Sequence, residues 1–232
     1  MVHKVGMKKY CCGLFAVIVS WLLVSCGGDD YHYPSVKQDF LTAFPGTDGR
    51  LESVLTDEGE AFCVVEDMSG LCADAPVRIV ANYETLAADG GKVAGVKLYG
   101  VLQTVSPVPL AADEFKEGVK TEPSEVQSIW LGHDYLNIIL KVRQQGKHLF
   151  HFVEDEVSAD DESGRVKVRL TLYHDVSSSV QDYGKRAYLS VPLRQYMTEG
   201  VQGVDVSFSV YTYSGSLKTY VLDETGFYVK ES

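Results

Sequence analysis

Outside its first 25 residues the chain has five histidines, His32, His133, His148, His151 and His174, the side chains best suited to proton transfer or metal binding near neutral pH. His148 and His151 are three apart in a β-type run, so they point to opposite faces and cannot share a metal without a bulge. His133-Asp134 and His174-Asp175 are adjacent pairs at strand ends. Neighbours on a strand diverge, so each reads as a polar strand end bonded to a turn rather than as part of a triad. His148 and His174 are the pair that a folded sheet stands to bring together. No G-x-S-x-G occurs, Gly91-Lys92 lacks the rest of a phosphate-binding loop, and no G-x-G-x-x-G opens a helix. The acids Glu154, Asp155, Glu156, Asp160, Asp161 and Glu162 lack the spacing of a calcium loop and read as a solvated charge run. No catalytic residue, resident metal or cofactor is expected.

Two further groups carry chemistry. Cys63 and Cys72 bracket Asp67-Met68. If the chain folds back across that dipeptide they lie opposite each other, within disulfide range. A bridge and a pair of buried free thiols both remain open. Around Ser214-Gly215 a hairpin is expected, with Phe208, Val210 and Thr212 on the core face beside Leu217, Thr219 and Val221. Tyr211, Tyr213 and Tyr220 would then share the solvent face with Lys218. That face is either a stacking platform for a sugar or a partner protein, or ordinary cross-strand packing.

The N-terminus supplies an address. Lys8 and Lys9 precede an uncharged, mostly apolar run from Gly13 to Val24, too short for a spanning helix of about 20 residues. The run ends Leu23-Val24-Ser25-Cys26, which resembles the lipobox of bacterial lipoproteins. The resemblance implies a signal peptide over residues 1–25, a lipidated Cys26 and a flexible tether over 26–35. Gly27-Gly28-Asp29-Asp30 implies the outer membrane, facing outward rather than toward the periplasm. The expected membrane partner is reached through that lipid anchor. Beyond residue 25, 18 bases stand against 32 acids, a net charge of −14. A nucleic-acid partner is excluded on that balance, because phosphate neutralisation needs a basic face.

Short β-type runs separated by Gly, Pro and Asp turns fill the rest. Runs at 36–44, 51–56, 60–66, 77–84 and 92–106 suit a small OB-like barrel over 36–106. Residues 107–124, bracketed by Pro107, Pro109 and Pro123, read as a linker with one short helix over 111–119. Runs at 135–145, 147–154, 164–174, 185–191, 204–213, 216–222 and 227–230 suit an antiparallel β-sandwich over 125–232, with a hairpin at Gln145-Gly146 and a solvated loop over 154–162. The expected class is all-β: an N-terminal OB-like small barrel followed by a C-terminal antiparallel β-sandwich.

Order and spacing of several stretches resemble the NigD-like lipoproteins. In the first half these are Phe62-Cys63-Val64-Val65-Glu66-Asp67 and Val77-Arg78-Ile79-Val80-Ala81-Asn82-Tyr83. In the second half they are Asp134-Tyr135-Leu136-Asn137-Ile138, Lys147-His148-Leu149-Phe150, Leu170-Thr171-Leu172-Tyr173-His174-Asp175 and Leu189-Ser190-Val191-Pro192-Leu193. The resemblance implies the two-part architecture and an envelope location. The expected role is non-enzymatic binding or accessory work at the cell envelope, of which bacteriocin immunity or toxin handling is the version that the family resemblance implies. The alternative is a surface glycan-binding protein using the tyrosine platform.

Overall fold

The computed structural model describes residues 35–87, 93–160, 162–178, 180–223 and 226–231. The signal peptide, Cys26 and almost all of the tether lie outside the described residues.

Five strands, β1 (Lys37–Pro45), β2 (Leu51–Thr56), β3 (Ala61–Asp67), β4 (Val77–Ala87) and β5 (Val93–Gln103), close into a barrel in the order β1-β2-β3-β5-β4. Four pairings are antiparallel; β3 and β5 run parallel. This is the Greek-key closure of an OB barrel. Leu41, Val54, Ile79, Val96 and Leu98 are wholly buried inside it. Short β-type runs bounded by Gly, Pro and Asp turns made these strands readable in sequence.

The second half stacks two sheets. β7 (Glu125–Gly132), β8 (Tyr135–Gln144) and β11 (Gln181–Pro192) form one, in the order β11-β8-β7. The other runs β14-β13-β12-β10-β9-β6. It contains β6 (Leu110–Ala111), β9 (His148–Asp160), β10 (Arg165–Val176), β12 (Gly203–Tyr211), β13 (Leu217–Asp223) and β14 (Gly226–Glu231). Leu136, Ile138, Leu140, Leu189 and Val191 from the first sheet meet Phe152, Val168, Leu170, Val206 and Phe208 from the second.

The sandwich departs from the sequence expectation in four places. β10 and β12 pair in parallel, because β11 crosses to the opposite sheet between them. Gln145-Gly146 is not a hairpin tip: β8 and β9 lie in different sheets, and Gly146, at φ 97°, turns the chain from one to the other. The acidic stretch after Glu154 is strand rather than loop. Two of its charges are met across the ladder, Glu156 by Arg169 at 2.5 Å and Asp160 by Lys167 at 2.6 Å. β7 has no clean alternation and was not foreseen.

Segment 107–124 is stitched to the sandwich. Leu110–Ala111 adds to β9, and the expected helix shrinks to a single 3-10 turn over Ala112–Glu114. Lys120 and Glu122 exchange backbone bonds with His174, and Ser124 N–H donates to Tyr211 O. Prolines at 107, 109 and 123 suit this extended path.

Candidate functional site

The outer face of the three-stranded sheet is covered by the barrel. Phe40 of β1 packs edge-on against Trp130 of β7, with ring centroids 5.2 Å apart, and against Tyr188 of β11 at 6.0 Å. Beside them Arg78 of β4 is buried with its charge met. Its Nη2 pairs with Asp57 and donates to Asn137 Oδ1 at 3.0 Å. Its Nε donates to Ser190 Oγ at 3.0 Å and its Nη1 to Thr42 Oγ1 at 3.2 Å. Asn137 Nδ2 donates to the second Asp57 oxygen at 2.7 Å, and Ser190 Oγ donates to Asn137 Oδ1 at 2.5 Å. The guanidinium lies 4.3 Å from the centre of the Tyr135 ring. Every polar atom named is bonded, so the network fixes the angle between barrel and sandwich. Gly132 leaves room for it: a Cβ there would stand 2.3 Å from the Asp57 carboxyl carbon.

This rigid junction frames an open groove. Two adjoining hollows of about 480 and 440 Å³ share Pro76, Tyr135 and Pro192 in their walls. One continues to Phe44, Leu55, His133, Arg194 and Met197, the other to Thr104, Pro107 and Val108. Met197 is 46% and Val108 57% exposed, so the groove presents apolar side chains to solvent. Clefts between packed units are the usual place for a binding site. Sequence reasoning missed it, because its residues come from strand ends and turns of both halves.

The tyrosine platform does not form as expected. Phe208 pairs with Tyr220, Val210 with Lys218 and Tyr211 with Leu217, one residue away from the expected register. The turn is centred on Ser214: Thr212 N–H bonds Ser216 O and Gly215 N–H bonds Thr212 O. A one-residue slip of β13 against β12 moves every β13 side chain to the other face. Tyr220 therefore enters the core side, 7% exposed, while Tyr211 stays outside on the opposite face. Tyr213, Lys218 and Tyr220 nonetheless meet at a smaller cleft of about 200 Å³, with Ser124, Glu125 and Arg143. Arg143 lies 4.7 Å over the Tyr213 ring, its backbone N–H donates to the Tyr213 hydroxyl at 2.7 Å, and its Nη2 meets Glu125 at 3.2 Å.

Cys63 and Cys72 are free and exposed. The expected fold-back across Asp67-Met68 is absent, because β3 is held by β5 and Met68 N–H donates to Leu98 O. Cys63 instead pairs with Ser53 and Cys72 with Arg50. These pairings stand three residues apart along one strand, about 10 Å and beyond disulfide reach.

His148 and His174 do come together: Nδ1 of His148 is 2.9 Å from Nε2 of His174. Desolvation lowers the His174 pKa to about 4, so the ring is neutral at pH 7. Its Nδ1–H is assigned by the bond to the Glu122 carbonyl at 2.9 Å. His151 points to the opposite face, against Phe115. His133 and Asp134 lie 3.7 Å apart on an exposed turn. Among the described residues no three His, Cys, Asp or Glu side chains gather as a metal set. No helix among them is long and apolar enough to cross a membrane.

Comparison with known proteins adds identity to this geometry. Residues 106–224 match the NigD-like C-terminal beta sandwich domain. A NigD-like immunity protein from Bacteroides caccae is 37% identical, over 87% of this chain and 94% of its own, with a TM-score of 0.67. A protein of unknown function from Bacteroides vulgatus shares the fold at 19% identity, over 81% of this chain and 90% of its own, with a TM-score of 0.60. So does a protein from Parabacteroides distasonis provisionally described as toxin related, at 16% identity, 85% and 93% coverage and a TM-score of 0.61. No curated protein matches. A family model over half of the chain and a 37% identical relative over most of it settle the kinship: the chain belongs to the NigD-like family.

Proposed function

We propose that this is a lipid-anchored cell-envelope protein of the immunity type, which binds a toxin polypeptide and performs no chemistry on it. The observation that carries this reading is the 37% identity, along nearly the whole length of both chains, to a protein described as a NigD-like immunity protein. The groove around Tyr135 supports it, with exposed Met197 and Val108 mounted on a junction that the Arg78 network keeps from flexing. The partner should be basic, since a net charge of −14 beyond residue 25 attracts cationic polypeptides and repels acidic ones. Lipidation at Cys26 would hold the protein on the outer membrane, and the Gly27-to-Asp30 tether suits outward display.

The test is protection. A sensitive strain expressing the protein is challenged with bacteriocin-containing supernatants of related Bacteroides. Wild type should raise survival, while Cys26→Ala, Val108→Asp and Met197→Asp should each reduce that protection at equal protein level. Failure of wild type to protect against any supernatant overturns the immunity reading. Protease shaving of intact cells tests the side: loss of the protein, with a periplasmic control intact, is the expected result, and survival until lysis overturns outward display.

A further inference from the structure

We propose that the cleft beside the β12–β13 turn binds one neutral sugar ring, gripped by Ser124, Glu125, Arg143 and Tyr213. This goes beyond the immunity reading and does not rest on it, since none of these residues lines the junction groove.

Ser124 is the first argument. The residue is wholly buried, it lines the cleft, and its Oγ makes no hydrogen bond. Its own N–H is satisfied by Tyr211 O at 2.9 Å, while the hydroxyl has no partner. Folded proteins rarely bury a hydroxyl without a partner, and one that borders a cavity is set to meet a polar ligand.

The rim supplies matched donors and acceptors. Arg143 and Glu125, 3.2 Å apart and about half exposed, offer a planar fork of N–H groups beside a carboxylate. That combination suits neighbouring hydroxyls of a sugar, each of which both donates and accepts. Glu125 already pairs with the Arg143 fork, so a ligand carboxylate would have to compete with it for the guanidinium.

Aromatic walls complete the site. Tyr213 is fixed twice by Arg143, through the ring contact at 4.7 Å and the hydrogen bond to its hydroxyl. Tyr220 forms the deeper wall, with Lys218 Nζ 5.7 Å from its ring centre. Tyrosine rings pack well against the C–H face of a pyranose while their edges stay polar. A volume of about 200 Å³ holds one ring and not a drug-sized molecule or a chain.

The experiment is saturation-transfer NMR on the full chain in detergent micelles. The probes are the methyl glycosides of glucose, galactose, mannose and N-acetylglucosamine at millimolar concentration, with free glucuronate as the charged counterpart. At least one neutral glycoside should receive saturation, and glucuronate should not. Ser124→Ala should weaken that binding about fivefold, the loss of one hydrogen bond, without lowering Tm, because the hydroxyl bonds nothing in the unliganded protein. Tyr213→Ala should abolish it. No transfer to any of the four, or binding unchanged in Ser124→Ala and Tyr213→Ala, overturns the proposal, as does glucuronate binding as well as the neutral sugars.

Discussion

Nδ1 of His148 lies 2.9 Å from Nε2 of His174, whose other nitrogen lies 2.9 Å from the carbonyl of Glu122. The carbonyl fixes the His174 proton on Nδ1, so Nε2 accepts the bond from His148. Desolvation first, with the neighbouring His148 also lowering it, brings the His174 pKa from 6.5 to about 4, against the raising effects of the Glu122 carbonyl and Asp175. As pH falls, the unfolded chain therefore takes up this proton before the folded one. The stability that neutral His174 contributes is complete above about pH 6.5, declines between there and pH 4, and is gone below that. The amount is on the order of 3 kcal/mol. Urea unfolding across that interval should show a steeper loss of stability for wild type than for His174→Gln, which does not titrate. Parallel profiles for the two would contradict the arrangement.

Arg78 should be the most sensitive position at the junction. Its side chain is 2% exposed and the Asp57 side chain 11%. Arg78→Met strips Asp57 of its cation and leaves Asn137 and Ser190 each short of one donor. Breaking one side of such a pair costs about 3–5 kcal/mol. Arg78→Lys should not rescue it, since one ammonium cannot reach four acceptors set around a flat fork. The double variant Arg78→Met with Asp57→Asn should recover part of the loss, because no buried charge then remains. Chemical denaturation of the three variants reads the cycle, and three equal losses would contradict the network.

Alternation made most strands legible, yet it could not show what covers a face. The wholly buried Asn137 and Ser190 look in sequence like solvent-side residues of β8 and β11, because each alternates with buried apolar neighbours. They are buried because a second unit, the barrel, lies on that side, and nothing in the local pattern encodes this. The groove and the Ser124 cleft were hidden for the same reason: their walls come from strands distant in sequence. His148 and His174 stood out in the sequence because both lie in the family-resembling stretches of the sandwich, and the structure places them on the neighbouring strands β9 and β10.

The cysteines give a direct check on the β3 path. In the native protein, after removal of the signal segment, Cys63 and Cys72 should both react with a thiol reagent without denaturant, since both are exposed and unbonded. Cys63→Ser and Cys72→Ser should each shift stability by no more than about 0.5 kcal/mol, the usual range for surface substitutions. Protection of both thiols until a reductant is added would mean that residues 63 and 72 face each other after all, and that β3 does not pair with β5.

The hairpin register is decided by two tyrosines. With Phe208 opposite Tyr220 and Tyr211 opposite Leu217, Tyr220 packs into the sandwich core, 7% exposed, whereas Tyr211 is 39% exposed on the outer face. Moving the turn by a single residue would bring Tyr220 out to the solvent face that Tyr211 already occupies. Tyr220→Ala should therefore cost about 3–5 kcal/mol, as for other large aromatic truncations in a core. Tyr211→Ala should cost less than about 1 kcal/mol. Equal, small losses for both would restore the solvent-facing platform and move Tyr220 out of the core. A large loss confined to Tyr220 fixes Ser214 as the centre of the turn and leaves Tyr213 and Tyr220, without Tyr211, at the cleft.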